Sequence, residues 1–366
     1  MKIFVRNYNG ILDGFQDMTQ KSGEYTNNHH ESDCLVTWQD VRGDHKELAE
    51  IYQNRLDRPV VVVEHGRGAT RDYCEPNKFP LLADKICVWG NKSRERLLKQ
   101  GIDEDRIRVV GCPLLKRLKK RTTNRTGLNI LFTPVISTKE EPENVLVYAM
   151  LKKWESQKLI EQIYTNFSAF KNGWATKEHI YKDFKKEDGT VESRLWSDDI
   201  VPRIPRSETY KKGFVHAKLT GIHDSAQYLV PIIGTNQGDL NHIQTVIDLL
   251  KDIDIVVCLE EGTLQLLATA MNIPVILCDI FKYENYGGMA HYDRVEKIKT
   301  PAVYSCDLGK LPSTLDYAIQ NMNEKLSQRI QVINEEAGGD IALTADENIY
   351  RVVQEAINSK KSPISA

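Results

Sequence analysis

The stretch DIVVCLEEGTLQLLATAMNIPVILCD, residues 254–279, alternates two kinds of hydrophobic pattern. A short apolar run rich in β-branched residues ends in a polar turn at 260–263, and a second such run closes the stretch. The residues between the two runs have the composition and spacing of a helix. A strand, a helix and a second strand in so short a span predict a parallel βαβ unit, because parallel strands need a crossover connection.

The same alternation runs through the rest of the chain. It predicts strands at 1–5, 34–38, 59–65, 84–90 and 106–113, and then at 128–134, 214–220 and 228–234. Helices are predicted at 44–56, 93–101, 142–163, 242–250 and 348–359. Strands and helices that alternate in this way predict α/β domains with parallel sheets.

Length and composition predict two domains. The chain has 366 residues, of which 41% are hydrophobic and 27% charged, and these values are typical of a globular protein. The polar and basic residues 116–126 are typical of a linker. We therefore expect one domain over 1–125, a second over 126–345 and a final helical segment over 346–366.

Charge and cysteine content indicate the partners and the compartment. A net charge of −2 does not indicate a nucleic-acid or polyanion binder. Seven dispersed cysteines without a CxxC pair suit a reducing compartment. The N-terminal residues lack the long apolar segment of a signal peptide, and no apolar run is long enough to span a membrane. We therefore predict a cytoplasmic protein.

One candidate site lies at the turn within 254–279. Ligands of open α/β sheets bind beyond the carboxyl ends of the strands, and this turn follows a predicted strand. It contains Glu260, Glu261, Gly262 and Thr263, and Thr263 is predicted to be the helix N-cap. A phosphate would be stabilised by the unpaired N–H groups and the partial positive charge of the helix start. An ordinary helix cap is the alternative.

A second candidate site follows the predicted strand at 59–65. The turn contains His65, Gly66, Arg67 and Gly68, and Arg71 follows shortly after. An imidazole titrates near neutral pH and therefore suits a general base. The forked guanidinium donors of the arginines pair well with phosphate or carboxylate. The alternative is a strand-end turn with solvated arginines.

Other polar segments are weaker candidates. Thr235 and Asn236 lie in a turn-rich segment after a predicted strand, where a substrate loop would lie. Lys218 lies near another strand end, where it would contact a phosphate or face solvent. Residues 106–125 contain eight basic residues and no acidic one, which indicates either a solvated linker or an electropositive lip over an anionic substrate. No segment has the ligand spacing of a defined metal site, so none is predicted.

The order of these motifs resembles the GT-B superfamily. Residues 59–113, PVVVVEHGRGATRDYCEPNKFPLLADKICVWGNKSRERLLKQGIDEDRIRVVGCP, resemble its N-terminal domain, in which a strand ends in a Glu/His-Gly turn. Residues 254–279 resemble its C-terminal nucleotide site. The branches that the chain resembles are the UDP-N-acetylglucosamine 2-epimerases and the CDP-glycerol glycerophosphotransferases. The resemblance implies two Rossmann-like domains facing a central cleft, with a final helix that often crosses back to the first domain.

The resemblance also implies roles for individual residues. His65 matches the histidine of the glycerophosphotransferase His-Gly turn, where it would be the base for the acceptor hydroxyl. Gly262 and Thr263 match the phosphate turn of the donor helix, and Glu260 or Glu261 would contact donor sugar hydroxyls or ribose. We assign Arg67, which would stabilise anionic charge, and Glu260 to catalysis together with His65. Gly66, Gly68 and Arg71 are assigned to acceptor or anion contacts, and Glu261, Lys218, Thr235 and Asn236 to the donor nucleotide. Such enzymes usually need no metal, because helix dipoles and basic groups stabilise the leaving diphosphate.

The chain also departs from both branches. The helix after Gly262 lacks the two glutamates of the epimerases, and Arg67-Gly68-Ala69 replaces the Pro-Leu-Lys continuation of the glycerophosphotransferase turn. We therefore predict a cofactor- and metal-independent glycosyltransferase. It would move a sugar from a nucleotide diphosphate, with UDP favoured, to a hydroxyl of a glycan, an anionic polymer or a modified DNA base. The alternatives are a nucleotide-sugar epimerase or hydrolase, a CDP-alditol phosphotransferase and a non-catalytic binding protein, and a homodimer is left open.

Overall fold

The computed structural model divides the chain into two compact units. It describes residues 1–7, 10–40, 43–67, 81–121, 127–133, 147, 150–151, 153–155, 157–165, 181–185, 191–195, 242–259, 262–278 and 300–361. The described residues of Met1–Leu118 and Leu326–Ala366, with Thr300, belong to the first unit. Those of Lys119–Lys282 and Pro301–Lys325 belong to the second. The chain enters the first unit for the last time at Leu326, and the described residues of the predicted final segment, 346–366, belong to that unit.

The first unit is built on a six-stranded parallel sheet. Its strands are β1 (Ile3–Arg6), β2 (Tyr25–Thr26), β3 (Cys34–Thr37), β4 (Val60–Val63), β5 (Lys85–Val88) and β6 (Ile107–Val109). They lie in the order β2-β1-β3-β4-β5-β6, and each neighbouring pair is parallel. Every residue of β3 and β4 is buried, as expected for central parallel strands that are covered on both faces.

The second unit is built on a five-stranded parallel sheet. Its strands, with those of a separate two-stranded sheet, are β7 (Asn129–Thr133), β8 (Gln162–Thr165), β9 (Tyr181–Lys185), β10 (Val191–Leu195), β11 (Ile255–Cys258), β12 (Val275–Cys278) and β13 (Tyr304–Cys306). The parallel sheet has the order β13-β12-β11-β7-β8, and β9 and β10 pair antiparallel with each other. Buried β11 and β12 form its centre together with β7.

Helices pack on both faces of the first sheet. The helices of the chain are α1 (Asp13–Lys21), α2 (Gly43–Ile51), α3 (Asn91–Lys99), α4 (His242–Leu250), α5 (Thr263–Ala270), α6 (Leu311–Gln320), α7 (Leu326–Ala337) and α8 (Ala345–Lys361). On one face, Ile349 and Val353 of α8 lie in one core cluster with Val61. On the other face, Leu97 of α3 clusters with Val62. Alternate residues of β4 thus face opposite helix layers, as in a doubly wound sheet.

The structure confirms the prediction of two α/β units with parallel sheets. The helix predicted at 242–250 coincides with α4. The helix predicted at 142–163 is too long, because β8 begins at Gln162. The strands predicted at 214–220 and 228–234 lie outside the described residues.

Gly111 marks a close approach between β6 and the end of the chain. Its φ angle is +85°, and a Cβ atom there would lie 2.5 Å from the Cα of Ala342. The N–H of Cys112 donates to the carbonyl of Ala337 at 2.9 Å. A side chain at Gly111 would therefore meet both backbone strain and a steric clash.

Two properties concern the described residues alone. None of their helices is both long enough and apolar enough to cross a bilayer. The described cysteines are all buried and carry free thiols: Cys34, Cys87, Cys112, Cys258, Cys278 and Cys306.

Candidate functional site

The first candidate site, called the first corner, lies in the first unit where β3 and β4 end. Thr37 of β3 pairs with Val62 of β4, so the residues that follow these strands leave the sheet side by side. Trp38 follows β3, and its ring lies 4.4 Å from that of His65, with an angle of 69° between the ring planes. His65 is half-buried. The strand-end histidine predicted from the sequence is therefore packed against an aromatic ring that the sequence interpretation missed.

A second histidine, His45, contacts the ring of Trp38. The ring of His45 lies 4.8 Å from that of Trp38, and its Nδ1 lies 2.9 Å from the hydroxyl of Thr37. His45 is 7% exposed, and this burial lowers its pKa. A buried imidazole with a lowered pKa is neutral at neutral pH.

Glu64 stands between the buried strand and His65. It is 3% exposed, and its carboxylate accepts hydrogen bonds from the backbone N–H of Trp89 and the Ser93 hydroxyl, both at 2.7 Å. These donors lie at the start of α3, so Glu64 ties the end of β4 to that helix. Burial raises the pKa of Glu64 to about 7, against the opposing effect of the two hydrogen bonds.

Arg67 is buried rather than solvated. Its side chain is 4% exposed and is paired with Glu336 of α7, whose side chain is 5% exposed. The Nζ of Lys92 contacts the other oxygen of Glu336 at 3.1 Å. Burial opposes ionisation of Glu336, but the nearby charges of Arg67 and Lys92 outweigh it and lower its pKa. The charge that we assigned to an anionic ligand is thus already matched by a carboxylate, and this pair fixes the turn to α7.

The second corner is the turn between β11 and α5. Here the prediction that Thr263 is the N-cap is wrong: Gly262 occupies that position and Thr263 begins the helix. The side chain of Gln265 accepts from the Gly262 N–H at 2.7 Å and donates to the Thr133 hydroxyl at 2.5 Å. Gln265 therefore satisfies the N–H of the N-cap residue, rather than one of the first helical turn, and joins the turn to the neighbouring strand β7. The N–H groups of the first turn point out of the helix start, where an anion is stabilised.

The other predicted site residues cannot be placed. Gly68, Arg71, Lys218, Thr235, Asn236, Glu260 and Glu261 lie outside the described residues. Of the predicted site residues, the structure therefore describes His65, Gly66 and Arg67 in the first unit, and Gly262 and Thr263 in the second.

Five of the eight basic residues of the segment 106–125 pair with acidic side chains, each within its own unit. Its ion pairs are Arg108–Glu355, Lys116–Asp346, Arg117–Asp13, Lys119–Asp248 and Arg121–Asp254. These contacts weaken the interpretation of the segment as an electropositive lip. Among the described residues, no group of three or more His, Cys, Asp or Glu side chains is arranged to hold a metal ion.

The fold belongs to the GT-B class. Two α/β units, each on a parallel sheet, are what this class requires, and comparison with solved structures agrees. The wall teichoic acid polymerase TagF matches with a TM-score of 0.56 at 10% identity, over 98% of this chain and 89% of TagF. The UDP-GlcNAc 2-epimerase of Methanocaldococcus jannaschii, solved with UDP-GlcNAc and UDP, matches with a TM-score of 0.53 at 14% identity, over 97% of this chain and all of that one.

These two structures represent the two branches that the sequence motifs resemble, so the resemblance is confirmed at the level of fold. No family model matches the sequence. A search of curated proteins finds no match either.

Proposed function

We propose that the protein is a GT-B transferase that moves a sugar from a nucleotide-diphosphate sugar to an acceptor hydroxyl. The observation that carries the proposal is the helix start at Gly262 and Thr263. It follows the carboxyl end of a central strand and is held in place by the two hydrogen bonds of Gln265. A helix start in this position suits the diphosphate of a donor, because its N–H groups and dipole favour negative charge.

His65 is assigned to the acceptor. It follows a buried strand of the other unit and is half-buried, so its ring is both held and partly accessible. In the proposed reaction the imidazole takes the proton of the acceptor hydroxyl while the oxygen attacks the anomeric carbon of the sugar. The bond from this carbon to the β-phosphate oxygen breaks, and a nucleoside diphosphate leaves. The N–H groups of the first turn of α5, from Thr263 onward, stabilise the charge that develops on this leaving group.

Arg67 receives a different role from the one expected from the sequence. Because its guanidinium is paired with Glu336, we assign it to holding the His65 turn rather than to binding substrate. No metal is required by this assignment. Activity that persists in excess EDTA is the expected result, and loss of activity that Mg²⁺ or Mn²⁺ restores would contradict it.

A CDP-alditol phosphotransferase is the second candidate. The His65-Gly66 turn favours it, because this pair is the part of the chain that resembles the glycerophosphotransferases. The two reactions release different products. Transfer of a sugar releases a nucleoside diphosphate, whereas transfer of an alditol phosphate from a CDP-alditol breaks the bond between the two phosphates and releases CMP.

The first experiment identifies the donor. The full chain is heated with UDP-, GDP- and CDP-linked sugars and with CDP-glycerol, and the melting temperature is recorded. A donor at about 100 times its Kd adds about 2.7 kcal/mol to stability, which gives a measurable shift. If no nucleotide compound shifts the melting temperature, the proposal fails.

The second experiment separates the reactions. The stabilising donor is incubated alone and then with glycerol, an oligosaccharide, a teichoic-type polymer or duplex DNA with hydroxymethylated bases, and the nucleotides and sugars are separated by chromatography. A nucleoside diphosphate formed only with acceptor supports sugar transfer, and CMP supports the second candidate. An epimer or free sugar formed without acceptor indicates an epimerase or hydrolase. His65→Ala should abolish transfer but keep the donor-induced melting shift, whereas His30→Ala, at an exposed histidine, serves as the matched control.

A further inference from the structure

Trp38 and His45 form an aromatic group beside His65, and the rings contact one another with defined geometry. Trp38 and His65 follow neighbouring parallel strands, which lie about 4.8 Å apart. Their rings meet at 4.4 Å in an edge-to-face arrangement. Aromatic pairs favour this geometry because the edge of one ring carries positive and the face of the other negative charge density. The contact restricts the directions in which the His65 ring can point.

Trp38 is itself held from the side of α2. The His45 ring lies 4.8 Å from the indole at the same 69° angle, and the Nδ1 of His45 is 2.9 Å from the Thr37 hydroxyl. Thr37 is the last residue of β3 and is buried. Thr37, His45, Trp38 and His65 therefore form a series of contacts that begins and ends at the sheet. Rotation of the Trp38 or His45 ring would break one of these contacts.

The backbone of His65 is fixed by different residues. Glu64, which precedes His65 in the chain, accepts hydrogen bonds from Trp89 and Ser93 at the start of α3. Arg67, two residues after His65, is paired with Glu336. These contacts set where the turn lies but do not touch the imidazole. The contact with Trp38 acts on the imidazole ring itself.

We infer that Trp38 is a positioning residue for His65, with His45 as its support, and that the indole holds the imidazole in the orientation that receives the acceptor proton. This inference rests on the proposed function. It predicts that loss of the indole lowers kcat and leaves donor binding unchanged, because the donor turn lies in the other unit. Loss of one aromatic pair corresponds to about a 3- to 10-fold decrease in kcat.

The test compares Trp38→Leu, Trp38→Phe and Tyr350→Leu. Phenylalanine keeps an aromatic face and should restore most of kcat, whereas leucine fills space without one. Tyr350 lies on α8 of the same unit and packs against the core, so Tyr350→Leu controls for a general loss of stability. For each variant, kcat and the KM for the donor are measured with the pair of substrates that the unmodified protein uses. The ring resonances of His65, assigned from His65→Ala in histidine-labelled protein, report the ring contact directly.

The inference is supported if Trp38→Leu lowers kcat by about 3- to 10-fold with the donor KM within about 2-fold, if the His65 resonances move, and if Trp38→Phe recovers kcat. It is overturned if Trp38→Leu retains full kcat, or if Trp38→Phe and Tyr350→Leu are as impaired as Trp38→Leu. If Trp38→Leu does not fold, Trp38→Phe serves as the test. Unmoved His65 resonances in Trp38→Phe, or a kcat that this variant does not recover, would then overturn the inference. No turnover by the unmodified protein would instead remove the proposed function, and this inference with it.

Discussion

Glu64→Gln is expected to change how the stability of the protein depends on pH. The Glu64 carboxylate is buried, and its two oxygens accept from the Trp89 N–H and the Ser93 hydroxyl. Its pKa is raised by burial from 4.5 to about 7. Glutamine has the same shape and retains a carbonyl acceptor for Trp89, but it carries no charge and does not titrate.

The direction of this pH dependence follows from whether the folded or the unfolded state binds the proton of Glu64 more tightly. A folded-state pKa above the unfolded value means that the folded protein binds the proton more tightly. The resulting stability is fully present below about pH 4.5 and is lost as the pH rises through about 7. Each pKa unit corresponds to about 1.4 kcal/mol. The interval from 4.5 to about 7 therefore corresponds to about 3 kcal/mol of unfolding free energy.

The assay is urea unfolding of the unmodified protein and of Glu64→Gln, followed by tryptophan fluorescence between about pH 5 and about pH 8. The unmodified protein should lose about 2 to 3 kcal/mol relative to the glutamine variant across this range. Glu95→Gln removes an exposed carboxylate from α3 and should follow the unmodified protein at every pH. Parallel curves for the unmodified protein and Glu64→Gln would refute the argument, because they would show that Glu64 titrates alike in both states.

Three further substitutions test the packing at Gly111 and at the two corners. Gly111→Ala should cost about 3 kcal/mol or more, because it combines a φ of +85° with a backbone clash. Gly101→Ala, with a φ of +80° and open space around it, should cost only about 1 kcal/mol, and equal losses in urea unfolding would contradict the steric part. Glu336→Gln should lower the unfolding free energy by about 3 kcal/mol, because it removes the charge opposite Arg67. The double variant with Arg67→Met should recover part of this loss, and a double variant that is less stable than Glu336→Gln would exclude this explanation. Gln265→Ala should cost about 1 to 2 kcal/mol and reduce the donor-induced melting shift, and an unchanged shift would show that the helix start binds no donor.

The central strands could be predicted because their sequence carries the fold signal by itself. The four valines of β4 are buried on both faces, and such a run favours a central parallel strand. Edge strands carry much less signal. β2 has two residues and β13 has three, so neither shows a period that could be recognised. The return of α7 to the first unit could not be foreseen either, because it depends on packing between residues far apart in sequence.

The site residues likewise include some that the sequence predicted and some that it did not. The turn at His65 was recognisable, because histidine, arginine and two glycines after an apolar run are unusual. Its neighbour Trp38 was missed, because it follows another strand and becomes a neighbour only through the pairing of β3 with β4. Arg67 was expected to meet an anionic ligand, since its partner Glu336 is remote in sequence. The N-cap at Gly262 was not predicted, because glycine has no side chain to mark it and only the glutamine three residues later, which accepts from the Gly262 N–H, carries a local signal.

The two corners are stabilised by the same physical means, and this explains why polar residues there need not all bind substrate. Each corner joins a buried strand to the start of a helix: Glu64 joins β4 to α3, and Gln265 holds the start of α5 against β7. A buried polar side chain in such a place is stable only if its hydrogen bonds are made, so these side chains are committed to the fold. The proposed reaction instead uses the imidazole of the half-buried His65 and the N–H groups of the first turn of α5. A proton acceptor and an anion site are the two elements that transfer from a nucleotide diphosphate requires.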